Sequence, residues 1–252
     1  MLIDIHAHLW EGKFEENKRE ILKACEYYDI DRVYISSLGG QYPTEEEISL
    51  LNLETYRFMC EAQGRIGGFC YLNPRHSGCI DVLKKGIEDY GMSGMKLWIA
   101  TYCDDPRVYP LTEKCIDYQI PIIVHAFHKA VGQLDCESLG VHVANLASKY
   151  PEAKIIMAHL GANCYREIKC IKNLKNVSVD ISGSIFRRDD IDYTKKQIGA
   201  ERILFGSDLP GASFLVNYGQ IEEADLSPDE KTLIMYKNAL DLLERSHSHE
   251  NS

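Results

Sequence analysis

Short apolar segments alternate with amphipathic helical stretches from one end of this chain to the other, and that alternation constrains the fold more than any other feature. The first strand-like segment holds Asp4 to Trp10, and seven more follow at 32–38, 65–72, 94–99, 121–125, 154–159, 177–182 and 202–207. Between them, apolar residues recur at helical spacing over 14–28, 43–62, 79–90, 111–119, 139–149, 165–174, 191–198 and 228–243. Strands this short, apolar on both faces and separated by helices, belong to a parallel sheet covered by helices. Eight of them favour closure into a single TIM-type (β/α)8 barrel, for which 252 residues is an ordinary length. An open doubly wound sheet is the alternative, but no Gly-x-Gly-x-x-Gly follows the first strand. One domain over 1–245 is expected, with a disordered polar tail at 246–252.

The formal net charge of −10 argues against a nucleic-acid or anionic-membrane partner, because either needs a concentrated basic face. A small-molecule substrate held by a few local cations remains compatible with it, and self-association into a homo-oligomer stays open. The longest apolar runs are short and the first residues lack a basic stretch followed by an apolar one, so a cytoplasmic protein is expected. The nine cysteines are scattered and form no Cys-x-x-Cys pair, which speaks for packed thiols rather than disulfides. Cys103, after the fourth strand, is the one to watch for reactivity.

Polar residues that could do chemistry fall at one end of the strands. His6 and His8 stand two residues apart on the first, so an extended backbone turns both to one face. Lys96 lies on the fourth strand, His125 ends the fifth, His159 ends the sixth and Asp208 follows the eighth. Each alone has a structural explanation, whether a core histidine, a paired lysine or a turn cap. Together, at the end where barrel enzymes build their sites, they point to one site. Two converging imidazoles suit zinc or a similar ion.

In these residues the chain resembles the amidohydrolase superfamily, in particular its amidohydrolase-2 branch of metal-dependent hydrolases and decarboxylases. The resemblance rests on Ile3-Asp4-Ile5-His6-Ala7-His8, Gly94-Met95-Lys96-Leu97, Ile123-Val124-His125, Ile156-Met157-Ala158-His159-Leu160-Gly161, Leu204 to Pro210 and Tyr236-Lys237-Asn238-Ala239. It implies a distorted barrel in which His6, His8, His125 and Asp208 hold one divalent ion, zinc first, with manganese or another divalent metal as substitutes. It makes His159 and Asp208 the catalytic pair, acting on a metal-activated water and on the leaving group. Lys96 binds a substrate anion or braces the site under this reading; carboxylated, it would instead bridge a second ion.

The resemblance implies a hydrolase acting on a small ester, lactone or amide, with a decarboxylase of a small unsaturated or aromatic acid as the alternative. Trp10, Arg75, Tyr102 and His128 are the substrate-binding candidates, as an apolar wall and as grips for an anion; Asn73, Phe127 and Lys129 stand beside them. A related barrel-type deoxyribonuclease also begins with His-x-His, but the acidic charge weighs against it. A non-catalytic metal binder fits poorly with a complete ligand set.

Overall fold

The computed structural model describes residues 1–62 and 64–243. The tail expected at 246–252 lies outside them. All eight strands form one sheet in sequential order, with parallel neighbours throughout. They are β1 (Ile3–Trp10), β2 (Arg32–Leu38), β3 (Ile66–Leu72), β4 (Gly94–Leu97), β5 (Ile122–Val124), β6 (Ile155–Met157), β7 (Val177–Asp180) and β8 (Ile203–Leu204). Helices α1 (Phe14–Tyr27), α2 (Glu45–Glu61), α3 (Cys79–Lys84), α4 (Tyr109–Asp117), α5 (Gly140–Lys149), α6 (Cys164–Ile171) and α7 (Asp190–Ile198) follow β1 to β7 in turn. The result is a (β/α)8 barrel.

Local sequence chemistry starts and shapes several helices. Thr44 Oγ1 accepts from the Glu47 amide while Glu47 Oε2 accepts from the Thr44 amide, a reciprocal cap that begins α2. The last helical stretch, expected as one helix, is α9 (Pro228–Thr232) running through a π-helical turn at Leu233–Lys237 into α10 (Asn238–Leu243). A further helix, α8 (Phe214–Glu223), occupies a stretch where no element is expected. Apolar residues there are contiguous rather than periodic, and Gly219 interrupts them, so the helical signature is weak.

Two apolar layers hold the fold. One lies between sheet and helices, and includes Val33, Ile35, Ile122, Val124, Ile155, Val177 and Val179. The other fills the barrel with Ile3, Ile5, Tyr34, Phe69, Ile123, Ile156 and Leu204, against which Tyr236, Leu240 and Leu243 pack. Large and small residues alternate across this inner layer: a Cβ at Gly67 would lie 2.3 Å from the Tyr34 ring.

Closure of the barrel is done mainly outside the regular ladder. Only Ile203 and Leu204 pair with β7, and the chain beyond them returns to β1. The Ile5 amide donates to Phe205 O at 3.0 Å, the Asp208 amide to His6 O at 2.7 Å, and the His8 amide to Leu209 O at 2.7 Å. Asp4 locks the seam. Its Oδ1 accepts from the amides of His6 at 3.1 Å and Ser207 at 3.0 Å, and its Oδ2 accepts from the Ser207 hydroxyl. Burial raises this carboxyl to about 7 despite the hydrogen bonds from Ser207 and His6 that favour its charge.

Asp4→Ala should therefore strand buried donors and lower stability by about 3 kcal/mol or more, whereas Asp4→Asn, which keeps the Oδ1 acceptor, should lose about 1 kcal/mol. Urea unfolding of the metal-free protein at pH 7 checks this, and equal losses in the two variants would refute the account.

Candidate functional site

The register of β1 turns its histidines inward. Ile3 and Asp4 pair with Arg32 and Val33, but Ala7 pairs with Ile35, so β1 carries one residue more than β2 across this interval. Such a bulge lets Ile5 pack in the barrel layer while His6, the next residue, also faces the interior. His8 follows on the same face, and Trp10 stands above it with its ring 5.5 Å from that of His8.

Lys96 stands within β4, and His125, His159 and Asp208 arrive past the ends of their strands. His159 leaves β6 in the left-handed region at φ 61°, as does Asp208 after β8 at φ 62°. The strands expected at 154–159 and 202–207 are accordingly shorter, because the side chains that matter sit where the ladder has stopped. Gly183 makes room for His159: its φ is +106°, and a Cβ there would lie 2.9 Å from His159 Nδ1.

His6 Nε2 lies 3.0 Å from His8 Nε2 and 3.0 Å from Lys96 Nζ. Asp208 Oδ1 is 3.3 Å from His8 Nε2 and 3.9 Å from His6 Nε2. His159 adjoins this group with its ring centroid 4.8 Å from that of His6, and its Nε2 meets His125 Nδ1 at 3.1 Å. The structure thus brings His6, His8, Lys96, His125, His159 and Asp208 to one place, the C-terminal mouth of the barrel.

Partners on the far side of each ring assign the tautomers. His6 Nδ1 lies 2.9 Å from Asp180 Oδ2, and His8 Nδ1 lies 3.1 Å from Ser36 O. His125 Nε2 lies 3.1 Å from Glu137 Oε1, and His159 Nδ1 lies 3.2 Å from Ser182 O. Carboxylates and carbonyls accept only, so each of these nitrogens carries the proton and the opposite nitrogen presents a lone pair to the centre. Lone pairs facing one another beside a carboxylate repel unless a cation joins them.

Electrostatics keep the donors in that state. Burial, with Lys96 nearby, holds His6 well below the usual imidazole range and lowers His8 and His125 too. Burial pushes His159 down to about 4, against the pull of Asp208. For Asp208, burial acts upward, but contact with His8 and the neighbouring imidazoles outweighs it and the carboxyl stays ionised. Burial lowers Lys96 to about 8, moderated by Asp180 and Asp208, so it remains largely cationic at neutral pH. Neutral imidazoles and an ionised carboxylate form a donor set that fits a divalent ion. His6, His8 and Asp208 offer ligand atoms within 4.8 Å of one another, as do His6, His159 and Asp180.

The profile of an amidohydrolase family, Amidohydro_2, matches residues 3–245. The chain belongs to that family. Solved structures similar to this amidohydrolase-family chain include a 2,6-dihydroxybenzoate decarboxylase from Rhizobium, with 16% identity, 96% of this chain and 98% of that one covered, and a TM-score of 0.77. A dihydroxybenzoic acid decarboxylase from Polaromonas sp. JS666, with bound manganese and the inhibitor 2-nitroresorcinol, has 17% identity, 96% coverage of each chain and a TM-score of 0.75. A 4-oxalomesaconate hydratase from Rhodopseudomonas palustris has 20% identity, coverage of 97% and 96%, and a TM-score of 0.72. None of the curated proteins matches the sequence.

Outside the central cluster, the expected substrate residues of this family member fare differently. Trp10 is at the rim, 5.9 Å from the Trp98 ring, and Phe127 stacks on His125 at 5.7 Å. Arg75 is spent on the loops: its Nε donates to Ala100 O at 2.7 Å and its guanidinium lies over Tyr42. Tyr102 stacks on His142 at 4.3 Å, and His128 Nδ1 pairs with Glu167 Oε1 at 2.7 Å. Asn73 Nδ2 donates to Pro43 O. Cys103 is buried, and burial pushes its thiol up to about 12, so it is not the reactive thiol considered for that loop. Among the described residues, no helix is long and apolar enough to cross a membrane.

Nothing in the sequence pattern marks Ser36 or Glu137, which with Asp180 and Ser182 orient the imidazoles. Asp180 and Ser182 do carry a signal. Ser178, Asp180 and Ser182 alternate with Val177, Val179 and Ile181, a polar phase inside an otherwise apolar strand.

In the metal-free protein, His159 should make the native state bind fewer protons than the unfolded chain between pH 6.5 and about 4, so its contribution to stability falls as the pH falls through that window. Between pH 7.5 and 5 this amounts to about 2 kcal/mol. The wild-type stability should decline by that much more than that of His159→Asn, as measured by urea unfolding at both pH values; parallel declines would contradict a neutral buried His159.

Proposed function

We propose that this protein is a metal-dependent lyase that decarboxylates a small aromatic or unsaturated acid. The observation that carries the reading is a cationic, ion-ready floor under an aromatic rim: Lys96 and the converging donors of His6, His8 and Asp208, with His125 reaching them beside His159, below, and Trp10, Trp98 and Phe127 above. A carboxylate fits the floor, and a flat unsaturated skeleton fits the rim. Support also comes from the similar structures, two of which are decarboxylases of dihydroxybenzoic acids and one a 4-oxalomesaconate hydratase.

His6, His8, His125 and Asp208 would hold the ion, manganese or zinc. When bound, the ion supplies a Lewis acid that binds the substrate's oxygens and stabilises charge developing on them. Lys96 Nζ adds a positive charge that orients the carboxylate. Decarboxylation breaks the bond from the ring or vinyl carbon to the carboxylate, releases CO2 and needs a proton at the carbon left behind. Asp208, whose side chain is 22% exposed while that of His6 is 1%, is the site carboxylate open to the mouth; ionised at rest, it would take up a proton from solvent at the mouth and pass it to that carbon. His159 Nε2, neutral and held through Nδ1 by Ser182, braces the adjoining face and excludes a second charge. Trp10, Trp98 and Phe127 keep water from the carbon while it is protonated.

Purified protein loaded with manganese and offered hydroxylated benzoic acids should release CO2. Chelation should abolish the release, returned manganese should restore it, and Asp208→Asn should lower kcat by about 10²–10⁴-fold. Turnover of lactones or esters with no CO2 from any acid would replace this reading with the hydrolase one. Metal content near one ion per chain would favour an unmodified Lys96, whereas two ions with an added carboxyl mass on Lys96 would make it a bridge.

A further inference from the structure

Glu137 is 2% exposed, although it lies in the excursion between β5 and α5, which is otherwise largely open to solvent. The excursion is tied at its base by a parallel bridge between Ala126 and Ser138 and by the Phe127 amide donating to Ser138 O at 3.0 Å. A carboxylate shut away from water must have its oxygens filled by donors, and each of these donors can be named. Oε2 accepts from Gln133 Nε2 at 2.8 Å and from the Leu134 amide at 3.3 Å. Oε1 accepts from Lys129 Nζ at 2.9 Å and from His125 Nε2 at 3.1 Å. Three of the donors belong to the excursion itself. The fourth belongs to the imidazole whose other nitrogen faces the centre.

We propose that Glu137 is the positioning residue of His125: it fixes the ring plane and the Nε2–H tautomer so that the Nδ1 lone pair points into the site, with Lys129 and Gln133 holding the carboxylate in place. The inference rests on His125 being a metal ligand, as in the preceding section. It also sets His125 apart from His6 and His8, which turn Nε2 to the centre and take their orienting contacts from Asp180 and Ser36. The orienting group for His125 comes from a loop, so folding of residues 126–138 and ion binding are coupled. By reciprocity, an ion at the centre orders this loop, and loosening the loop weakens the ion. Carboxylates that hold ligand histidines from behind change metal affinity by about 10- to 100-fold when removed.

Glu137→Ala and Glu137→Gln separate this role from simple loop support. Glutamine keeps an acceptor for Nε2–H but lacks the charge that pairs with Lys129. Manganese affinity is read by competition with a chelator, and ring ¹⁵N NMR of the metal-free protein reads the His125 tautomer. Wild type should show Nε2–H; Glu137→Ala should mix the tautomers and bind manganese about 10- to 100-fold more weakly. Glu137→Gln should recover the tautomer and most of the affinity even if its melting temperature falls. Unchanged affinity and tautomer in Glu137→Ala would overturn the positioning role while leaving the metal reading intact. Wild-type protein that binds no divalent ion would overturn both.

Discussion

Two unprotonated imidazole nitrogens, His6 Nε2 and His8 Nε2, stand 3.0 Å apart beside the Asp208 carboxylate, and this arrangement needs positive charge to hold it together. Lys96 supplies some, 3.0 Å from His6 Nε2. A divalent ion would supply more and would satisfy the donors at once. The rest of the site follows from that constraint. Each ring must send its proton elsewhere, so each has an acceptor behind it: Asp180, Ser36, Glu137 or the Ser182 carbonyl. Burial keeps the rings neutral, because charging them in a poorly hydrated place costs more than the nearby carboxylates return.

The same region closes the barrel, which ties catalysis to folding. Asp4 binds the His6 and Ser207 amides and the Ser207 hydroxyl, so the carboxylate that joins the first strand to the segment after the last also positions the backbone of His6 and the residue before Asp208. The Ser207 hydroxyl in turn accepts from the Leu209 amide, and Asn217 Nδ2 donates to Ser207 O. Helix α8 is thereby anchored to the seam. Its Asn217 is a buried polar residue in a stretch with no clear helical period, which is why neither the helix nor its purpose is legible before the fold is known.

The central residues are legible because they share a visible rule: His6, His8 and Lys96 lie on strands, and His125, His159 and Asp208 just beyond them, in an alternating pattern. Their orienting partners share no such rule. Ser36 is one of two adjacent serines in a largely apolar strand, and Glu137 lies in a long irregular loop among other charges. Residues that resemble anion grips in the sequence also turn out otherwise engaged. Arg75 and His128 meet Ala100 and Glu167, which are distant in the chain and have partners only tertiary packing could assign.

By itself the sequence determines the order of the eight strands and of the helices between them, the parallel sheet and the residues that meet at its C-terminal mouth, because all of these follow from period and position along the chain. Tertiary structure decides what period cannot express. The extra residue in β1 turns both Ile5 and His6 into the barrel, the chain after Leu204 closes the sheet against β1, and each imidazole receives a tautomer from an acceptor up to 174 residues away. A hydrogen bond selects one nitrogen of a ring by geometry within a few ångströms, and that geometry exists only once distant segments have packed.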